Sequence, residues 1–233
     1  MNNPFYIKEY YSIHPLMSFE ALFTTPALAA IAGDQRTVIE PEYDSMIDPR
    51  LIRRMSKVLK MGVAAGLEAL NRAGIANPDA IIAGTAYGCL GDTAVFLEKM
   101  AAQDESLLPP TPFIQSTHNT VSGQIALSLK CRGYNMTYTQ RGHSFENALM
   151  DAMTFESPGQ VILLGAFDEL TPELMEILRR TGFFRHSEIK GGEGAAFFVG
   201  SLTPDDASRY KVSMLKTSFT GITDELLTAV RAA

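Results

Sequence analysis

Apolar and polar positions along the chain change period several times, and the changes mark the elements. Phe5 to Ile13 alternates loosely between Pro4 and Pro15, as an opening strand does. Leu16 to Asp48 has prolines and Gly33 among scattered apolar residues. It reads as a loop-rich excursion with a short helix at Pro26 to Ala32, or as a flap reaching a partner chain. Asp48-Pro49 pairs an N-cap acceptor with proline at a first helical position. Leu51, Met55, Val58, Leu59, Gly62, Val63, Gly66 and Leu70 then fall on one stripe, which predicts a helix to about Ala73 stopped at Gly74. Arg53, Lys57 and Lys60 share another face of that helix.

Asp79 to Gly88 reads as a buried strand ending in a glycine turn, followed by a helix through Phe96, Leu97 and Met100. Pro109-Pro110-Thr111-Pro112 reads as a stiff connector. Val121, Ile125, Leu127 and Leu129 predict a helix whose Gly123 permits close packing on another backbone. Tyr134 to Thr139 is aromatic and β-branched like a strand, and Ser144 to about Phe155 is helical, with Phe145, Ala148, Leu149 and Ala152 inward. Gln160 to Ala166 is apolar enough for a strand covered on both faces. Asp168-Glu169 follows it, and Thr171-Pro172-Glu173 opens a further helix. Gly191 to Gly200 and Tyr210 to Phe219 are strands joined by the turn Thr203-Pro204-Asp205-Asp206, and Asp224 to Ala233 is a last short helix. This alternation predicts an α/β fold, a mixed, largely parallel sheet between helical layers, in a single domain spanning 1–233.

Composition narrows the function. A chain of 233 residues that is 46% hydrophobic can bury one sizeable core. Its net charge of −6, without a Lys/Arg-dense tract, argues against a nucleic-acid binder. No window has the eighteen apolar residues of a membrane span and no leader is evident, so a cytoplasmic protein is expected. Cys89 and Cys131 lack metal-ligand spacing and read as reduced thiols; no metal or cofactor is expected.

Chemistry concentrates at one corner, Thr139-Gln140-Arg141-Gly142-His143-Ser144, where a strand feeds a helix. Unpaired N–H groups and the positive end of the helix dipole meet there, a setting that stabilises a thiolate or an oxyanion. No thiol is present. The spacing from Gly133 through the corner to Ala148-Leu149 resembles the active-site element of β-ketoacyl synthases, in which a cysteine sits six residues before that Ala-Leu pair. Here that position is Gly142. Phe113-Ile114-Gln115-Ser116-Thr117-His118-Asn119-Thr120-Val121-Ser122-Gly123-Gln124 is similar to the segment before that element, and Gly192-Glu193-Gly194-Ala195-Ala196-Phe197 to the family's Gly-Glu-Gly-Ala strand start. The region Phe183-Phe184-Arg185-His186 represents a longer family loop.

The resemblance implies half of a thiolase-like fold, most like the short chain-length-factor-type subunit of aryl polyene ketosynthases. Condensing enzymes of the family pair the cysteine with histidines from a second half, and neither is expected here. The implied role is a non-catalytic subunit that partners an active ketosynthase, or another copy of itself, with an acyl carrier protein as a further partner. Asn119, Tyr134, Met136, Tyr138, Gln140, Arg141, Gly142 and His143 are the implied interface and acyl-tunnel residues, with strand Tyr134 to Thr139 pairing across the subunit boundary. Proline at Met136 or Tyr138 is expected to break that cross-subunit ladder. Arg53, Lys57 and Lys60 are the candidate carrier-docking bases. The competing reading is an independent acyl hydrolase or transferase using His143 with Asp168 or Cys89, though no Gly-x-Ser-x-Gly elbow is present.

Overall fold

The most apolar runs become the middle of a six-stranded sheet. In the computed structural model, which describes residues 3–15, 37–102, 110–155, 159–182 and 192–213, the strands are β1 (Phe5–Ile13), β2 (Ala80–Gly84), β3 (Tyr134–Tyr138), β4 (Ile162–Asp168), β5 (Gly194–Ser201) and β6 (Tyr210–Val212), in the order β3-β2-β4-β5-β1-β6. β3, β2 and β4 run parallel, while β5, β1 and β6 add on antiparallel. Every residue of β2 is buried, because both faces of the sheet are covered. The described helices are α1 (Pro49–Ile52), α2 (Lys57–Ala73), α3 (Leu90–Ala102), α4 (Pro110–Gln115), α5 (Thr120–Leu129), α6 (Ser144–Ala152) and α7 (Pro172–Arg180). α2 and α5 lie on one face and α6 on the other.

The period of two along the strands divides the core accordingly. Ile81, Ala83, Leu163, Phe167, Phe197 and Val199 pack under α2 and α5. Ala80, Ile82, Ile162 and Leu164 pack under Ala148, Ala152 and Met153 on the α6 side. Three glycines set the spacing of these layers. A Cβ on Gly62 would lie 2.4 Å from Val121, one on Gly66 2.6 Å from Ile125, and one on Gly165 2.2 Å from the Phe197 ring. The first two let α2 and α5 approach closely, and the third leaves room for a buried aromatic ring.

Several elements differ from the sequence expectation. The helix expected from Asp48 to Ala73 is two helices, because Ser56 takes an extended conformation as N-cap and restarts the chain at Lys57. Leu51 is consequently exposed, and Arg53 lies on a different element from Lys57 and Lys60. The expected proline connector forms α4 from Pro110; proline is tolerated in a first helical turn, where N–H groups have no partner. A Cβ added at Gly123 would meet nothing within 4 Å, so the close helix contact belongs to Gly62 and Gly66. Leu127, expected inside, is 72% exposed. β4 starts later and runs on through Asp168, and α6 stops at Ala152. The helix expected at Pro26 to Ala32, the region Phe183 to His186, the end of the strand expected to Phe219 and the helix expected at Asp224 to Ala233 lie outside the described residues.

The glycine contacts give a direct test of the packing. Gly165→Ala forces a methyl into the Phe197 ring, and we expect it to lower the free energy of urea unfolding by about 1–3 kcal/mol. Gly123→Ala, on an open helix face, is expected to be neutral or slightly stabilising in the same titration.

Candidate functional site

The corner after β3 is built on one hydroxyl. β3 ends at Tyr138, a single 3-10 turn over Arg141–His143 follows, and α6 begins at Ser144. The Ser144 Oγ accepts from the Gln140 N–H at 2.8 Å and lies 2.8 Å from both the Arg141 and Thr85 carbonyls, to which it can donate. It thereby fastens the turn to the end of β2. Gly84 permits this approach, since a Cβ there would sit 2.6 Å from the Ser144 carbonyl carbon. Arg141 is the left-handed residue of the corner, with φ of 53°, and Gly142 is not in that region. Gln140, Arg141, Gly142 and His143 are all exposed, and a Cβ on Gly142 would meet nothing within 4 Å.

Beneath the corner, three carboxylates organise the loops at the ends of β2 and β4. Asp168 accepts from the N–H groups of Ala86 and Tyr87 and from the Thr85 hydroxyl. Burial pushes its pKa above the ordinary range, against the pull of those hydrogen bonds and of His118. Glu169 accepts from the Gly91 N–H, and burial together with Asp92 and Glu193 holds it high as well. Glu193, only 3% exposed, accepts from the Val38 and Leu170 N–H groups and from the Lys57 ammonium. Asp168 and Glu193 also line an open cavity of about 280 Å³ with Ile13, His14 and Phe167. The acidic pair that the sequence showed after β4 is therefore committed to fixing backbone, and Lys57 is drawn inward by Glu193 and away from any docking face.

The two edges of the sheet are treated differently. At the β6 side, the edge strand is only three residues long, and Lys8–Asp205 and Arg209–Glu9 ion pairs crowd it. Short strands and charges of this kind blunt an edge against pairing. β3 has neither. Among the described residues it pairs only with β2; it carries no charged residue and leaves Tyr134 and Met136 each 40% exposed. Its two faces are tied down: Asn135 donates to the Ser122 carbonyl, Thr137 and Ser122 share a hydrogen bond, and the Tyr134 hydroxyl donates to Asp151. The Tyr134 N–H donates to Asp79 and the Tyr138 carbonyl accepts from Thr85. Since parallel strands alternate, Tyr134, Met136 and Tyr138 turn their backbone groups towards β2, and Asn135 and Thr137 turn theirs outward. Proline at Met136 or Tyr138 therefore breaks this chain's own sheet, contrary to expectation; the outward donors are at 135 and 137.

Of the remaining candidates, Asn119 is exposed and is the N-cap of α5, its side chain making no capping bond. No hydrogen bond joins His143 to Asp168 or Cys89. Cys89 is buried, and burial with nearby Asp92 and Glu169 pushes its thiol up to about 12, which leaves it protonated and unreactive. Among the described residues no cluster of His, Cys, Asp or Glu is arranged for a metal ion, and no helix is long and apolar enough to cross a membrane.

The sequence model of the beta-ketoacyl synthase N-terminal domain matches residues 31–183, most of the chain. The chain belongs to that family. The fold agrees with solved ketosynthase structures and is thiolase-like. A ketosynthase (ApeO) in complex with its chain length factor (ApeC) from Xenorhabdus doucetiae is 23% identical, with a TM-score of 0.64 over 84% of this chain and 78% of that one. The AntDE:AntF complex, a type II PKS acyl-carrier protein with its ketosynthase bound to the hexaketide, is 20% identical with a TM-score of 0.70 over 86% and 64%. The ishigamide ketosynthase/chain length factor is 17% identical with a TM-score of 0.66 over 90% and 64%. The chain thus spans less than two thirds of the length of the last two. No curated protein matches the sequence.

Ser144, Thr85 and the Glu193–Lys57 pair are the site residues that sequence reading missed. A Gly-Glu-Gly triplet and a serine at a helix start were the available signals. The raised carboxylates of this ketosynthase-family chain fix a pH dependence. Asp168, Asp92 and Glu169 hold their protons more tightly folded than unfolded, so their contribution is complete below the ordinary carboxylate range and is lost as pH rises through their raised values. Exposed Asp48, Asp205 and Glu176 are shifted down and act in the opposite sense. Asp92→Asn is expected to raise the urea midpoint at pH 8 and to change it little at pH 3.5. An equal change at both values would mean that ionisation is not the cause.

Proposed function

We propose that this chain is a non-catalytic ketosynthase-like subunit, of the chain-length-factor type, that partners an active β-ketoacyl-ACP synthase in polyketide or fatty-acid-like biosynthesis. The observation that carries the reading is the open edge of β3, which runs straight into a corner without a thiol. A parallel edge strand that lacks charges, proline or a bulge is a template for another chain, and here the template leads to the place where the family's nucleophile stands. Gly142, with open space where a side chain would be, leaves room for a partner side chain or a growing acyl chain. The chain length factors named in two of the similar structures, and the acyl-carrier protein in the third, give the reading its biosynthetic context. An aryl polyene is the product class we favour.

The independent-enzyme reading lacks support: Asp168 is committed to backbone amides, Cys89 is protonated and His143 is bonded to neither. Carrier-protein docking is proposed at Arg53, which is exposed beside exposed Arg54; Lys60 is half-buried and Lys57 is paired.

Two measurements test the proposal. Intact-mass analysis after incubation with an acyl carrier thioester should show no acyl adduct on the isolated chain, because the corner carries no thiol and the Cys89 thiol is buried and protonated. An adduct on Cys89 contradicts this. Hydrogen exchange at Asn135 and Thr137 should slow when a ketosynthase is co-expressed and bound. Thr137→Pro, which removes an outward donor, should abolish the complex, while Thr137→Ala, which keeps that donor, should retain it. Equal exchange in the free and bound states removes β3 from the interface.

A further inference from the structure

We propose that the cavity at the N-terminal ends of β2 and β3 binds a small molecule that joins a phosphate to a planar base, the chemistry of a mononucleotide. It lies at the opposite end of the parallel strands from the corner and the carboxylate layer. The inference does not depend on the subunit reading.

Two junctions of the backbone build this cavity. As β3 starts beside β2, the Tyr134 N–H donates to the Asp79 carbonyl, and a Cβ on Gly133 would lie 2.2 Å from that oxygen. Glycine is what lets the chain enter the strand there. Just before it, α5 ends at Lys130, which takes the left-handed conformation with φ of 55° while its N–H bonds back to Ala126 and Leu127. Glycine fills such a cap without steric cost, so a lysine there accepts a backbone penalty and brings a cation to the cavity wall. The space enclosed is about 610 Å³, a size common among small-molecule sites.

Four polar side chains line the cavity with no partner of their own among the described residues: Lys130, Arg132, Asn77 and Gln160. The acid on the wall, Asp79, is already engaged, accepting the Val161 N–H at 2.8 Å. Arg53 and Arg54 also lack a side-chain partner, but they precede the far end of α2 and neither lines this cavity. What distinguishes Arg132 is therefore its company. Two cations beside one satisfied acid, in a chain of net charge −6, suit a phosphate, which takes charge-assisted hydrogen bonds from lysine and arginine alike. A phosphate alone would leave most of the space unused. Tyr134 and Phe155 meet edge to face on the same wall, ring centroids 5.3 Å apart, and the bond from the Tyr134 hydroxyl to Asp151 fixes that ring. A planar base stacks on such a surface, and each amide of Asn77 and Gln160 offers the donor and acceptor that a base edge requires.

Isothermal titration of the chain with AMP tests the site, with inorganic phosphate and adenosine as the two part-ligands. AMP should bind with a Kd of about 1 mM or tighter, and each part-ligand at least about tenfold more weakly. Arg132→Gln and Lys130→Gly remove no side-chain bond within the chain, and glycine keeps the helix cap. Each should weaken AMP at least about tenfold and flatten its salt dependence. Phe155→Leu should weaken AMP and leave inorganic phosphate unchanged. Lys99→Gln, at an exposed position on α3, should leave AMP binding as it was. Absence of AMP binding overturns the proposal. So does an equal loss in Lys99→Gln and Arg132→Gln, which would mark attraction by surface charge in general. Equal affinity for AMP and inorganic phosphate overturns it too, because the rings would then contribute nothing.

Discussion

A helix can begin hard against the end of a buried strand only if the strand offers no side chain at that point and the helix brings its own hydrogen-bond partners. Gly84 and Ser144 meet these two conditions. The missing Cβ at Gly84 lets the first turn of α6 come within van der Waals reach of β2, and the Ser144 hydroxyl satisfies backbone groups from the turn and from the strand end. Everything exposed at the corner inherits its position from this contact. Gln140 to His143 can stand free in solvent and still be fixed, because the residue that follows them is buried.

The same logic extends downward through charged groups. Asp168, Glu169 and Glu193 close the loops at the C-terminal ends of the strands by accepting from backbone N–H groups that would otherwise be buried without partners. Carboxylates do this well because each offers several acceptor sites, but the interior charges a desolvation cost, visible in the raised pKa values of Asp168 and Glu169. Among the described residues Lys57 is the lysine drawn into the group, and the helix break at Ser56 is what delivers it. A polar layer of this kind is stiffer than an apolar one, since each bond has a direction.

Most of the architecture was legible from the sequence because it depends on periodicity. The buried runs in β2 and β4, the stripe through Val58 to Leu70 and the β3-to-α6 switch all follow from which faces must be covered. The departures have local causes that periodicity cannot register. Ser56 interrupts a stripe that is continuous in apolar content, and Pro110 and Pro112 are compatible with either a connector or a first helical turn. The candidate site was legible in outline only. A strand-to-helix corner and a missing thiol can be read from residue types, but the left-handed backbone at Arg141 cannot, because arginine, unlike glycine or asparagine, does not signal that conformation. Likewise Lys57 resembles a solvated base until Glu193, 136 residues away in sequence, is folded beside it.

The contrast between the two sheet edges bears on what kind of pairing β3 admits. Its side chains are already engaged by the helices on both faces, through Ser122 on one and Asp151 on the other, so the strand does not need a neighbour to hold its shape. Pairing at this edge adds backbone hydrogen bonds to a preformed strand, and the ordering cost is small compared with folding a loose segment on binding. Preformed, uncharged edges also invite indiscriminate association. On the subunit reading proposed above, selectivity then comes from side chains on the strand, and the exposed apolar groups of Tyr134 and Met136 set a requirement that an arbitrary strand does not meet. On that reading, backbone pairing supplies adhesion and the exposed side chains supply the choice of partner.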